Sequence, residues 1–283
     1  MAIRVAAILT CFRHRSHANV ILENFLEPYL FCGQRVDPRK EFRVVSMSVD
    51  QFPKIDMARG VAREYGIKIY PTIARALCQG GKRLAVDAVL SIGEHGTYSF
   101  NRLGQKRYPR KRFFDEIAAV IGDSGRPIPV FNDKHLCYRF DWARQMVDTA
   151  RELDIPLMAG SSCPLAQRRP AIELPRGARI TEAVSIHGGP LEAYGFHALE
   201  VLQSFVEARA GGETGVVGVE YLRGRQLWNA AAQGRWSLKL AEAAMQADLG
   251  ERPKSIRQVP GEPRVTSDGL LIEYADGLKA TML

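Results

Sequence analysis

The sequence predicts an α/β fold, with a parallel sheet and crossover helices first and a second α/β domain after them. Short apolar segments rich in β-branched residues alternate with amphipathic helical segments over about the first 160 residues, which is typical of βαβ units. The predicted strands are apolar almost throughout, as expected for strands that are buried on both faces. The pattern changes at residues 164–179, which are rich in proline, glycine and arginine, as in a linker or a surface excursion.

The elements of the first half follow from hydrophobic periodicity. The predicted strands cover residues 3–9, 42–49, 67–70, 86–92, 128–131 and 155–159. The predicted helices cover residues 16–30, 57–65, 71–77, 110–121 and 141–153. The helix over 57–65 ends before Gly66, a common C-terminal residue, and the helix over 71–77 has Pro71 in its first turn.

The second half contains fewer and more widely spaced elements. The sequence predicts strands over 180–186 and 215–221, and helices over 191–205 and 238–249. Two apolar segments within 269–283 flank Asp276-Gly277, a dipeptide that favours a tight β-hairpin turn. We therefore expect a partly antiparallel sheet in this half.

Composition narrows the class of protein. The chain has 283 residues, 46% hydrophobic and 25% charged, which is ordinary for a globular protein with room for two domains. The net charge of +8 is spread along the chain, and its only tight basic run, residues 106–112, accompanies no nucleic-acid-binding motif. Such a run is typical of a solvated loop, with a surface anion site as the alternative. We expect no nucleic-acid partner.

Cysteine spacing and the absence of long apolar segments indicate the compartment. The five cysteines are an odd number, widely spaced and without a Cys-x-x-Cys pair, which favours reduced thiols. The sequence shows no signal peptide and no apolar span of membrane-crossing length. These observations predict a cytoplasmic protein with no membrane partner.

Two residues are candidates for acid–base chemistry. Lys134 follows a predicted buried strand, and ligands bind at the carboxyl ends of strands in open α/β sheets. His197 lies on a predicted helix that follows Gly188-Gly189, and an imidazole exchanges protons near neutral pH. A solvated turn around Lys134 and a histidine packed within a helix bundle remain the structural alternatives.

Four segments resemble the glucose–fructose oxidoreductase and inositol dehydrogenase family. Residues 129–135, Pro-Val-Phe-Asn-Asp-Lys-His, resemble the family's strand that ends in Glu-Lys-Pro. Residues 188–197 resemble its Gly-Gly…Asp-x-Gly-x-His segment. Residues 88–95 and 143–160 resemble the strand that leads to the nicotinamide region and a following helix and strand. The resemblance implies a Rossmann-like dinucleotide-binding domain over 1–125, and a substrate and oligomerisation domain with an open, shortened sheet over 126–283.

The resemblance also implies site residues. Lys134 and His197 stand in the places of the catalytic lysine and histidine. The candidate residues for NAD or NADP are Thr10, Arg13, Arg15, Asp50, Glu94 and His95. The candidates for a sugar-like or polyol substrate are His95, Asp133 and Tyr194. The family often assembles through its second sheet, so a homo-oligomer is expected.

The chain departs from the family where the cofactor would bind. Leu9, Cys11 and His14 stand in place of the three glycines of a Gly-x-Gly-x-x-Gly turn, and their side chains should obstruct the usual cofactor position. Ala193 replaces the aspartate that would orient His197, and an extra basic loop follows at about residues 97–109.

Two main hypotheses, and a third, remain open from the sequence. In the first, the protein is an oxidoreductase in which Lys134 polarises the reacting oxygen and Arg13 and Arg15 hold phosphates by charge. In the second, NAD(P) binding is lost, and the site serves non-redox acid–base chemistry, binding or assembly. The third adds a metal held by histidines near the strand ends, although no tight ligand spacing supports it and we predict no metal. The six histidines concerned are His14, His17, His95, His135, His187 and His197.

Overall fold

A computed structural model describes residues 2–250 and 268–283 of the protein. The chain divides into two compact units, residues 1–160 and 161–283. The first unit contains strands β1 (Ile3–Leu9), β2 (Tyr29–Phe31), β3 (Gln34–Val36), β4 (Phe42–Val49), β5 (Lys68–Tyr70), β6 (Ala88–Ile92), β7 (Val130–Asp133) and β8 (Leu157–Gly160). Its helices are α1 (His17–Leu26), α2 (Ala58–Glu64), α3 (Ile73–Leu77), α4 (Arg110–Ser124) and α5 (Phe140–Glu152), with a 3₁₀ turn at Pro38–Lys40.

The first unit is built on a six-stranded parallel sheet with the order β5-β4-β1-β6-β7-β8. Ile8 on one face packs with α3, α4 and α5, while Leu9 on the other packs with α1 and α2. The strand order reverses direction between β1 and β6, and the carboxyl ends of the strands on either side of such a point form a ligand crevice. The residues that follow β1, β6 and β7 therefore lie at the expected site.

The second unit is a four-stranded mixed sheet with helices. Its elements are β9 (Glu182–Ser185), α6 (Phe196–Val206), β10 (Val216–Arg223), α7 (Arg225–Ala232), α8 (Leu238–Leu249), β11 (Asp268–Tyr274) and β12 (Lys279–Met282), with a 3₁₀ turn at Cys163–Leu165 and a π-helical turn at Leu191–Gly195. The order is β10-β11-β12-β9, in which β9 pairs parallel to β12 and the other pairs are antiparallel. Leu202 and Val206 of α6 pack on Ile272 and Tyr274 of β11 to form one of its two cores.

The structure confirms the predicted fold class. Strands β1 and β4 and helix α8 have the predicted bounds, and the predicted hairpin forms from β11 and β12. The compact first unit continues to Gly160, because β7 and β8 pair onto the sheet of β1. The boundary predicted after residue 125 therefore falls inside this sheet, between β6 and β7.

Several predicted element bounds were wrong. Helix α1 ends at Leu26 rather than at residue 30, because Pro28 has no amide proton and disfavours helical backbone at Glu27. Pro71 lies outside α3, whose N-cap is Thr72. The single helix predicted over 191–205 is a π-helical turn followed by α6.

The sequence analysis also missed some elements of the structure. The β2–β3 hairpin and α7 were not predicted.

No helix within 2–250 or 268–283 combines the length and apolarity needed to cross a bilayer.

Candidate active site

The predicted catalytic lysine lies at the end of β7, in a backbone conformation that its neighbours hold in place. Lys134 has a φ of +64°, unusual for a residue with a side chain, and its carbonyl accepts a hydrogen bond of 3.1 Å from Gly160 N. The amide of buried Asn132 donates to the carbonyls of residues 133, 134 and 135 at 3.2–3.5 Å. The Lys134 ammonium lies 3.5 Å from Glu94 Oε1, with both side chains only 11–12% exposed. The lysine is therefore held as one partner of a largely buried ion pair.

Arg110 completes this charge array from the start of α4. Its guanidinium donates to Glu94 and lies 3.2 Å from His135 Nε2, with the side chain 1% exposed. Burial lowers the pKa of Arg110, and the Glu94 carboxylate opposes that effect. Gly93 leaves room for it, because a Cβ there would come within 2.6 Å of Arg110 Cγ. The prediction of a solvated basic loop at residues 106–112 is therefore wrong for Arg110. Glu94 is the shared partner of two cations, Lys134 and Arg110.

Two histidines form a second polar group beside β1 and β7. His17 Nδ1 lies 2.7 Å from the Asp133 carboxylate, and its ring is 5.2 Å from that of His95. Arg13 Nη2 lies 3.3 Å from His95 Nδ1, and since a guanidinium can only donate, Nδ1 accepts and Nε2 carries the proton. His95 Nε2 is buried and has no hydrogen-bond partner among the described residues. Burial lowers the pKa of His95 to about 4, so the ring is neutral at pH 7.

The other candidates near β1 have structural partners. Thr10 is fully buried, and its hydroxyl donates to the Glu94 carbonyl, which ties the ends of β1 and β6 together. Arg15 lies in an exposed turn with a φ of +57°, and its amide donates to Asn19 Oδ1. Arg13 points to His95 as described above. Of the two predicted phosphate-binding arginines, Arg13 is thus engaged with His95, and Arg15 is exposed.

Asp50, the predicted cofactor-binding carboxylate at the end of β4, is engaged on both oxygens. Arg112 donates to one oxygen, and the Tyr98 hydroxyl donates to the other at 2.7 Å. Thr97 and Gln51 exchange two further hydrogen bonds of 2.8–3.0 Å. The loop over 97–109, which the sequence analysis identified as extra, is thus fastened onto the end of β4.

The second unit holds the other predicted residues. His197 lies in the first turn of α6, with its Nδ1 2.6 Å from the Ser161 hydroxyl. Ser161 also receives support through its amide, which donates to Glu200. Ser161 therefore orients the imidazole, a role for which Ala193 has no polar group. The sequence analysis missed Ser161 because this residue lies far from His197 along the chain. Tyr194, a predicted substrate contact, is 53% exposed on the π-helical turn.

Comparison with solved structures identifies the architecture. GenD2 from gentamicin A biosynthesis, solved with NAD, matches with a TM-score of 0.51 at 16% identity, over 99% of this chain and 65% of that one. The fold is that of the glucose–fructose oxidoreductase and inositol dehydrogenase family. A putative dehydrogenase from Bordetella bronchiseptica matches with a TM-score of 0.54 at 13% identity, over 100% of this chain and 60% of that one. The WlbA dehydrogenase from Bordetella pertussis, solved with NADH and UDP-GlcNAcA, matches with a TM-score of 0.53 at 12% identity, over 100% and 70%.

These matches show how far the resemblance to known proteins extends. The chain spans less than two thirds of the length of GenD2 and of the Bordetella bronchiseptica protein. No known protein-family profile and no curated protein sequence matches it. At 12–16% identity, these matches show a shared fold.

The residues of the first unit do not fit a dinucleotide in the family's usual position. Leu9 and Cys11, at the places of two of the motif's glycines, are buried, so this turn carries side chains where the motif has none. The amide of Arg13 donates to the cap residue Ser16 within the loop. Asp50, at the place where the Rossmann motif binds a ribose, is covered by Arg112 and Tyr98 as described above. Entry of a dinucleotide therefore requires side-chain rearrangement at these places.

The histidines do not assemble a metal site. Within the part of the chain that the structure describes, no group of three or more His, Cys, Asp or Glu side chains is arranged to hold a metal ion. His17 and His95 come together, whereas His187 bonds to the Leu283 carbonyl at 2.8 Å in the second unit.

Proposed function

We propose that the protein is an oxidoreductase-like enzyme that acts on a sugar-like or polyol small molecule, with Lys134 at the reacting oxygen. The observation that carries the proposal is the largely buried array of Lys134, Glu94 and Arg110 at the carboxyl end of β7. Burying three charged groups is costly unless they are paired, and such arrays are concentrated at functional sites. Dehydrogenases that share the fold support the reaction class.

Two donors in this site suit an oxygen-rich substrate. The Lys134 ammonium donates to a hydroxyl or carbonyl oxygen, which stabilises negative charge that develops there. The protonated Nε2 of His95 is buried and has no partner among the described residues, so a substrate oxygen would satisfy it. A polyol offers neighbouring oxygens that take both bonds.

His17 supplies a base within the same unit. A carboxylate that accepts from the Nδ1–H of a histidine orients the ring and leaves Nε2 free of its proton. Asp133, predicted as a substrate contact, is then a positioning residue for His17. His197, in the second unit, stays the predicted proton carrier. That His197 and Lys134 contact the same substrate molecule also stays a prediction.

A second candidate function is acid–base catalysis without a dinucleotide. The coverage of Asp50 by Arg112 and Tyr98, together with the core positions of Leu9 and Cys11, favours it. In this case Lys134 and His17 would move a proton on the substrate, and no hydride would leave it.

One screen distinguishes the two functions. Purified protein is incubated with polyols, sugar acids and nucleotide sugars, with and without NAD⁺ or NADP⁺, and the products are followed by NMR while absorbance at 340 nm reports reduced nicotinamide. Conversion that requires the dinucleotide supports the oxidoreductase, and conversion without it supports the second function. No conversion of any substrate by wild-type protein that binds them would contradict both.

A further inference from the structure

An exposed thiol in the second unit lies beside an imidazole. Cys163 is exposed, and its Sγ is 3.5 Å from His197 Nδ1, which the thiol shares with the Ser161 hydroxyl at 2.6 Å. The Cys163 amide donates to the Ser161 hydroxyl at 3.0 Å, which fixes the backbone that carries the thiol. The 3₁₀ turn Cys163–Leu165 packs against α6, so the thiol and the imidazole are held by elements in contact. A thiol next to a base loses its proton readily, and the thiolate is the nucleophile.

The other four cysteines lack this combination. Burial raises the pKa of Cys11, Cys78 and Cys137, which disfavours their thiolates. Cys32 is exposed in the turn of the β2–β3 hairpin, and among the described residues it has no contact with an imidazole. Cys32 is therefore an internal control, because it is also an exposed thiol.

We propose that Cys163 is a site of covalent modification by small disulfides and electrophiles, with His197 as the base that takes the thiol proton. With a low-molecular-weight disulfide, Cys163 Sγ attacks one sulfur, the old S–S bond breaks, and a mixed disulfide forms. The departing thiolate carries away the electron pair and takes up the proton that His197 received, so one disulfide and one thiol give one disulfide and one thiol. The inference goes beyond the proposed function because it involves only the second unit and no turnover of a substrate.

Thiol labelling of the full-length protein tests the proposal. An aromatic disulfide such as dithionitrobenzoate is added under pseudo-first-order conditions from pH 6 to 9.5, and labelled peptides are quantified by mass spectrometry. We expect Cys163 to react about tenfold faster than Cys32 at pH 7, because base assistance raises the reactive fraction. The advantage should shrink at the alkaline end of this range, because thiols in general lose their proton there without help from a base.

His197→Gln assigns the base. The variant should lose the rate advantage of Cys163 while the Cys32 rate stays unchanged, and protection of Cys11 and Cys137 from labelling reports that the fold is intact. Equal rates for Cys163 and Cys32 in wild-type protein at pH 7 would overturn the proposal. A fast Cys163 in the folded variant would overturn the role of His197. If the variant does not fold, the pH dependence of the wild-type rate ratio still decides.

Discussion

Lys134 occupies a position where both its backbone and its charge are constrained. A residue with a Cβ at φ +64° costs of the order of 1 kcal/mol, and the Asn132 amide and Gly160 offset that cost. Strain that neighbouring residues stabilise is common where a side chain must be aimed at a ligand. The same strain occurs at His95, which has a φ of +71°, and at Arg15, which has a φ of +57°, so three candidate site residues share it.

Replacing Lys134 tests its role at the reacting oxygen. Lys134→Ala should lower kcat by about 100-fold or more with a smaller change in KM, because its ammonium acts mainly as charge develops. The measurement is steady-state kinetics on whichever substrate the screen yields. Lys82→Ala removes an exposed lysine of the same unit and should leave both constants unchanged. An equal kcat for Lys134→Ala and wild type would remove the lysine from the mechanism.

His95 should make the stability of the protein fall in mild acid. Its pKa of about 4 in the folded state lies below the ordinary value of 6.5, so the unfolded state binds the proton more tightly. The stabilisation is fully present above pH 6.5 and is lost as pH falls towards 4, by about 2 kcal/mol between pH 7 and pH 5.

Urea unfolding at a series of pH values measures this contribution. His95→Asn, which tolerates a positive φ, should flatten the curve between pH 7 and pH 5 relative to wild type. Identical slopes for the two proteins would show that His95 is not held neutral in the folded state.

At the scale of elements, the start of α4 is fitted against the end of β6. Arg110 is the largest fully buried side chain among the described residues, and Gly93 provides the space for its stem. Gly93→Ala should destabilise the protein by about 2 kcal/mol, because the added Cβ meets a side chain enclosed by the core. Gly60→Ala is the matched control: Gly60 lies in α2 with open space around it, so alanine should stabilise by about 0.5–1 kcal/mol. Equal denaturant midpoints for the two variants would contradict this packing.

The loop over 97–109 closes the end of β4 through contacts that substitution can remove. Tyr98→Phe combined with Arg112→Ala frees both Asp50 oxygens. We expect the affinity for NADH to rise about tenfold, because Asp50 can then form one hydrogen-bonded contact with the dinucleotide. Lys111→Ala removes a neighbouring charge that pairs with Asp115 and should change nothing. Isothermal titration of the three proteins makes the comparison. Unchanged affinity in the double variant would show that the loop does not limit binding.

Elements with strong local patterns were predictable from the sequence, and contacts between distant residues were not. Strand β1 is a mostly apolar segment and was predicted with its bounds, whereas α7 has only eight residues and packs against Trp236 from outside the helix. Lys134 was found from its place after a strand. The partners that define its chemistry, Glu94 and Arg110, come from two other elements, and their pairing emerges only when β6 and β7 align.

At the scale of the whole molecule, a dehydrogenase fold carries a polar site at the carboxyl ends of β6 and β7 but closed positions at β1 and β4. The parallel sheet brings Lys134 to Glu94, with His95 next to it in the chain. The same sheet places Leu9, Cys11 and Asp50 where side chains oppose the usual cofactor position. The fold is thus shared with the dehydrogenases, and we predict that the side chains at these positions weaken the binding of a dinucleotide.

Fluorescence titration of NADH and NADPH with the wild-type protein tests this account most directly. We predict no saturation up to about 1 mM of either dinucleotide, because side chains replace the glycine turn and cover Asp50. Competition by NAD⁺ distinguishes specific binding from surface adsorption to a chain of net charge +8. Saturable, competitive binding at micromolar concentration or below would contradict the account, since it would show that a dinucleotide enters despite Leu9, Cys11, Tyr98 and Arg112.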